Sequence, residues 1–218
     1  MKVKKTAFTL IETIIAIIVF GIGILTVLIG LSQTLKNKDY ANTQIKSAFF
    51  AREWIELMFN LRDANYHKEM PRNCVFKNTS LSNNGYDENF NPFCEKIFDD
   101  GIVLKVWMGD NNQYLNTEIW TLSNDFETDF EKFQIYVHTW NILNWNVWFM
   151  YNYDETNGEK TWFARYLIIK WVMENGNMLP KDKLLKIESH VLYKRWEFTG
   201  EKVMETFIGN YEFKDNLF

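Results

Sequence analysis

Three histidines, His67, His138 and His190, lie far apart in a chain of 218 residues and share nothing of the His-Glu-x-x-His spacing by which a helix holds zinc. There is no Gly-x-Ser-x-Gly elbow and no phosphate-binding loop, so nucleophilic and phosphoryl chemistry have no residue to start from. The acids Asp99, Asp100 and Asp110, and the run Asp125, Glu127, Asp129, Glu131, lack calcium-loop spacing and read as solvated loop residues. Two cysteines without nearby histidines make no tetrahedral site. No catalytic residue, metal ligand or cofactor is assigned, and an enzyme is not expected. The chemically odd residue is Glu12, a lone carboxylate at the mouth of an uncharged apolar run from Ile14 to Leu31. An ionised carboxylate in lipid costs about 2.5–3.5 kcal/mol or more, so it needs a partner.

The elements around Glu12 decide what that partner is. Lys2, Lys4 and Lys5 precede the run. A helix from Phe8 to Leu31 would be about 36 Å long, enough for a hydrocarbon core of about 30 Å. The basic leader should stay cytoplasmic and place everything after Leu31 outside. A secretory signal peptide fits poorly, because the run exceeds the usual 7–15 apolar residues and no small-x-small site closes it. Apolar residues then continue at three- and four-residue steps: Leu35, Ala41, Ile45, Ala48, Phe49, Ile55, Met58 and Leu61, among Lys36, Lys38, Asp39, Lys46, Arg52, Glu53 and Glu56. With no proline before Pro71, the pattern predicts one helix from Thr9 to Ala64, roughly 85 Å long. Gly21, Gly23 and Gly30 punctuate its membrane half, either for close packing or as places that unwind easily.

From His67 to Gly101 the periodicity gives way to Asn, Asp, Ser and Pro, which reads as loop. It holds Cys74 and Cys94, the only cysteines. An even count in an exported chain is what a disulfide requires, and closing a loop of about 20 residues would stabilise by roughly 3 kcal/mol; two free thiols are the alternative. The remainder predicts strands over Ile102–Met108, Gln113–Leu122, Phe133–Trp140, Val147–Tyr153, Thr161–Met173, Lys183–Lys194 and Glu201–Ile208. Roughly 187 residues beyond the span suit one domain. The formal charge of −4 becomes −7 once the three lysines of Met1–Ala7 are removed, a poor footprint for gripping phosphates, so nucleic acid is not an expected partner. Nine tryptophans against ten glycines point to an aromatic-rich core, or to tryptophans standing where the gene's own code inserts glycine.

KKTAFTLIET resembles the cleavage and methylation signature of type IV pilins and type II secretion pseudopilins. The resemblance implies that a prepilin peptidase cuts between Ala7 and Phe8 and that Phe8 becomes the N-methylated first residue. Glu12 would then associate with the terminal amine of a neighbouring subunit, which supplies the missing counter-charge. The departure is Ala7, where the family usually carries glycine.

AREWIELMFNLRDANY, Ala51 to Tyr66, is similar to the helix end of PilV-type minor pilins, the type IV pilus modification proteins. Ala51, Arg52, Glu53, Ile55, Glu56, Asn60, Arg62, Asp63, Asn65 and Tyr66 fit that pattern; Trp54, at a family glycine position, and Phe59 depart from it. Arg165, Val191, Trp196 and Tyr211 fall where the closing strands of those proteins carry similar residues. The implied fold is α+β and type IV pilin-like, with a long N-terminal helix packed on an antiparallel sheet. Its expected parts are a leader over 1–7, a transmembrane or fibre-core half-helix over 8–31, an amphipathic half over 32–66, a loop region over 67–101 and a β head over 102–218. The implied function is assembly of a pilus, at or near the tip; the alternatives are a minor pseudopilin of type II secretion and a pilus-borne adhesin. Implied partners are other pilins or pseudopilins through the helix, the prepilin peptidase, the inner-membrane assembly platform and, before assembly, membrane lipid. The protein would be single-pass in the inner (cytoplasmic) membrane with a cytoplasmic N-terminus, and later part of an extracellular pilus.

Overall fold

The computed structural model describes residues 9–67, 74–75, 96–97, 100–108, 115–123, 125–142, 146–153, 155, 158–174, 176–179, 184–195 and 198–209. The expected helix is a single element, α1 (Leu10–His67), of 58 residues. The chain divides into two units, Met1–Thr43 and Gln44–Phe218. In the first, every large apolar side chain from Leu10 to Leu31 is exposed, and α1 is long and apolar enough to cross a membrane. Thr26 and Thr34 turn their hydroxyls back onto the carbonyls of Ile22 and Gly30, at 2.9 and 2.8 Å, so neither presents a free donor to lipid. A side chain at Gly21, Gly23 or Gly30 would meet no other atom within 4 Å of its Cβ in the single chain.

The second unit is an antiparallel sheet packed on the remainder of α1. Its elements are β1 (Cys74–Val75), β2 (Lys96–Ile97), β3 (Ile102–Met108), β4 (Leu115–Trp120), α2 (Phe126–Lys132), β5 (Gln134–Ile142), β6 (Asn146–Asn152), β7 (Glu159–Trp171), β8 (Met173–Glu174), β9 (Asn177–Met178), β10 (Leu184–Arg195) and β11 (Phe198–Gly209). The main sheet runs β11-β10-β7-β3-β4, and the β5–β6 hairpin also joins β7. β7 is the axis. β10 pairs along one side of it, while β3 takes Leu167–Ile169 and β5 takes Glu159–Ala164 on the other. β1 and β2 form a separate short ladder, as do β8 and β9.

Strand alternation separates two faces. Leu104, Leu167, Ile169, Leu185, Ile187 and Ile208 close on Trp54, Met58 and Leu61 of α1, while Ile135, Phe163, Val191 and Tyr193 close on Phe50 and Ala51. On the opposite face Val103, Ala164, Tyr166 and Leu192 meet Phe130 and Phe133. The buried side of α1 is therefore Ser47, Phe50, Ala51, Trp54, Ile55, Met58, Leu61, Arg62 and Asn65, at three- and four-residue steps. Ile45 and Phe49 were expected on that stripe but stay 54% and 65% exposed. Apolar residues occupy more of the helix circumference than one sheet can cover, and periodicity alone does not say which arc the sheet takes.

The acids expected in a loop form α2 instead. Asp125 caps it, accepting from the Thr128 N–H at 3.0 Å and hydroxyl at 2.6 Å. Asp129 is buried and accepts from the N–H and hydroxyl of Ser123 at 2.8 and 2.9 Å. Glu127 pairs with Lys194 of β10. The signal is an Asp N-cap followed by apolar Phe126 and Phe130 one turn apart. Asp100 also serves the fold, accepting from the Trp171 N–H at 2.8 Å. Asp99 and Asp110 lie outside the described residues.

One hairpin contact specifies glycine. Gly200 stands opposite Tyr193 in the β10–β11 ladder, and a Cβ there would collide with the phenol ring. That ring's hydroxyl accepts from Gln44 Nε2 of α1 at 2.6 Å. Gly200→Ala should displace Tyr193 from Gln44 and lower stability by about 1–3 kcal/mol, the usual cost of overpacking. Chemical denaturation of the full chain in detergent would measure it, and wild-type stability would show that the ring moves freely.

Across β7, β10 and β11, Lys170 faces Lys186 and Glu188 faces Glu205. Like charges directly opposite repel. Here they interleave: Glu188 bonds Lys170 at 2.6 Å and Lys186 at 2.9 Å, and Lys186 reaches Glu205 at 2.9 Å. Burial pushes the Glu188 carboxyl up, but hydrogen bonds from Lys170, Lys186 and His190 outweigh it and hold it down at about 2. A carboxyl depressed in the folded state stabilises fully above its unfolded value of 4.5 and loses that contribution as pH falls toward 2. The denaturant midpoint should therefore drop between pH 5 and pH 2.5, on the order of the carboxylate titration range, and drop less in Glu188→Gln. Equal acid sensitivity in both proteins would remove Glu188 as a contributor.

Candidate assembly site and helix–sheet junction

Thr9 and Glu12 form a capping box at the start of α1. The Thr9 N–H donates to Glu12 Oε2 at 2.8 Å, and the Thr9 hydroxyl donates to the same oxygen at 2.9 Å. In return the Glu12 N–H donates to Thr9 Oγ1 at 3.4 Å. Two of the amides that every helix start leaves unpaired are thus served by side chains three residues apart. Glu12 thus has a partner within its own helix as well as any outside it, and Thr-x-x-Glu before an apolar run is the local signature of that pairing. Among the described residues Glu12 Oε1 accepts nothing, so the carboxylate keeps an oxygen for another donor. Ala7 and Phe8 lie outside the described residues. Cys94, the other half of the expected bridge, does too; β1 sets Cys74 opposite Ile97.

A second constellation joins the two motifs of the head. Arg165, 1% exposed on β7, reaches Glu53 of α1 with Nη1 at 2.6 Å. Its guanidinium lies 4.9 Å from the Trp54 ring centroid and 5.6 Å from that of Phe50. Nη2 donates to the Tyr151 carbonyl at 3.5 Å, and the Tyr153 hydroxyl donates to the Arg165 carbonyl at 2.6 Å. Burial pushes the Tyr153 phenol well above its usual range. Trp54 is wholly enclosed, edge-on to Tyr153 at 5.8 Å, as an aromatic core requires.

The other motif residues divide between core and surface. Ala51, Ile55 and Asn65 are buried, while Asn60 and Tyr66 are exposed. Arg52 and Glu56 form an exposed pair at 2.8 Å. Arg62 is buried over Phe59 and bonds Asp63 at 2.7 Å. Val191 is in the core; Trp196 and Tyr211 lie outside the described residues.

The histidines do not converge. His67 ends α1, His138 is buried on β5, and His190 lies between Glu201 at 2.6 Å and Glu188 at 3.4 Å, stacked on Tyr166. Among the described residues no three His, Cys, Asp or Glu side chains are placed to hold a metal ion.

No curated protein and no solved structure matches the chain. Residues 2–28, the stretch that contains Lys2, Lys4, Lys5, Thr9 and Glu12, match the family model described as Prokaryotic N-terminal methylation motif, the signal of type IV pilins and pseudopilins.

Proposed function

We propose that this chain is a minor type IV pilin of the PilV type, cut between Ala7 and Phe8, N-methylated on Phe8 and built into a pilus at or near its tip. The observation that carries the reading is the methylation motif over residues 2–28, together with Glu12 Oε1, which accepts nothing among the described residues, at the start of an uncovered apolar helix. A neighbour's terminal amine is a charge-assisted donor, and Glu12 Oε1 is an acceptor for it that leaves the capping box intact. Removing the leader strips three lysines from the end that faces the cytoplasm. The helix then moves from lipid into a bundle of like helices, with Glu12, the one carboxylate of residues 8–31, matched. Before assembly the chain would span the inner membrane with its N-terminus in the cytoplasm and meet the prepilin peptidase and the assembly platform there. A minor pseudopilin would carry the same signal and use the same two residues.

Mass spectrometry of the membrane-extracted protein tests the reading. The expected N-terminus is methylated Phe8, and an intact Met1 would end it. Ala7→Leu should block the cut, because the peptidase site takes a small residue there. A processed form of wild-type mobility in that variant would place the cut elsewhere.

A further inference from the structure

β11 closes one end of the main sheet. It pairs with β10 over its whole length, and among the described residues nothing pairs with its other edge. Such an edge is a row of backbone donors and acceptors that another strand can use, and prolines, bulges or shortness are common guards against that. β11 has none of these: it runs for 12 residues, against 6 for β4 at the opposite end, its register with β10 is unbroken, and it holds no proline. What it does carry is charge on its exposed row, where Thr199, Glu201, Val203, Glu205 and Phe207 alternate. Val203 is 39% and Phe207 54% exposed. The one lysine of the strand, Lys202, stands on the other row with Met204 and Ile208, toward α1.

The exposed row therefore decides which strand is admitted. Glu201 Oε1 meets His190 and Tyr166, and Glu205 Oε2 meets Lys186. Among the described residues Glu201 Oε2 and Glu205 Oε1 accept nothing, so each carboxylate keeps an oxygen for a further donor. Opposite charges across a ladder attract and like charges repel. A second β11 does not serve. Antiparallel pairing of two copies in one sheet needs a twofold axis through it, which turns the second α1 end for end, whereas chains held in one membrane by the same end of α1 share its direction. We infer that β11 takes up an extended segment of a different fibre subunit, one that sets lysine or arginine opposite Glu201 and Glu205 and apolar side chains opposite Val203 and Phe207. Main-chain hydrogen bonds supply the affinity and the alternate side chains the choice of partner. This rests on the fibre-subunit reading and adds a head-to-head contact to those made through the N-terminus.

The test places p-benzoylphenylalanine at position 207 of the full chain in fibre-producing cells. After irradiation, adduct peptides from sheared fibres are identified by mass spectrometry. The expected adduct is a head segment of another subunit bearing the methylation motif, with two basic residues four apart. Amides along β11 should also exchange hydrogen about tenfold more slowly in fibres than in detergent-extracted protein, because a free edge has become a ladder. Val203→Lys should lower the amount in fibres by about fivefold, the scale of a cross-strand pair turned repulsive, while Val203→Thr should keep it. Adducts within residues 210–218 of the same chain, with a second β11, or with a segment lacking basic residues overturn the inference but leave the fibre reading standing. Unchanged exchange, or wild-type amounts of Val203→Lys, overturn it likewise. Absence of the wild-type chain from fibres defeats both. Since Val203 lies on the exposed row, both variants should fold; protease resistance of the head checks this, and should Val203→Lys fail, the adduct and the exchange rates decide.

Discussion

Glu12→Ala is expected to reach the membrane and lose its leader as wild type does, while its content in sheared fibres falls by about tenfold or more. The magnitude follows from the lost interaction. A hydrogen bond to a charged group contributes about 1.5–3 kcal/mol, and each 1.4 kcal/mol is tenfold in an equilibrium constant. Processing should be spared because, on the proposed reading, the cut precedes Phe8 and Glu12 acts only once a neighbour's amine is at hand. The capping box adds a control. Thr9→Val removes the hydroxyl that donates to Glu12 Oε2 at 2.9 Å but keeps the N–H that donates at 2.8 Å. That variant should assemble far better than Glu12→Ala, because the carboxylate survives. Quantitative immunoblots of sheared and membrane fractions would read both. Equal loss in the two variants would mean that the cap, rather than the charge, is what the fibre needs; no loss in either would withdraw Glu12 from assembly.

Glu53→Ala should destabilise the head by about 3 kcal/mol, whereas Arg165→Met should cost markedly less. Removing one partner of a buried pair leaves an uncompensated charge, typically at 3–5 kcal/mol, while an apolar side chain of similar volume is often tolerated. The asymmetry comes from burial. Arg165 is 1% exposed and cannot reach water if Glu53 goes, but Glu53 is 46% exposed and rehydrates if Arg165 goes. The low end of the range applies because the Tyr151 carbonyl and the rings of Phe50 and Trp54 still attend the guanidinium. Denaturant titration of full-length protein in detergent would rank the two. Arg165→Met as damaging as Glu53→Ala would show that the arginine's role is in packing.

The helix and most strands of the head could be read from the chain because each is a local regularity. β3 runs from Ile102 to Met108 as expected, and β7, β10 and β11 differ from expectation by a few residues at their ends. Seven-residue α2 was not legible, since two turns with alternating acids look like a polar loop until the cap of Asp125 and the burial of Asp129 are seen. The partners of charged residues were legible only where they were near in sequence. Arg52 and Glu56 are four apart on one helix and pair there, as i,i+4 neighbours of opposite charge do. Glu53 beside them pairs with a residue 112 positions away.

The sequence by itself determined the uncharged helix, the lone Glu12 at its mouth, the three lysines before it and the strand-rich head, because hydropathy and periodicity act over a few residues. The tertiary structure decided which arc of α1 is covered, that Ser47, Trp54 and Asn65 go inside while Ile45 and Phe49 stay out, and that Arg165 rather than solvent answers Glu53. The physical reason is that burial and charge compensation depend on which surfaces the sheet brings within a few ångströms, a property of long-range pairing that no local window contains.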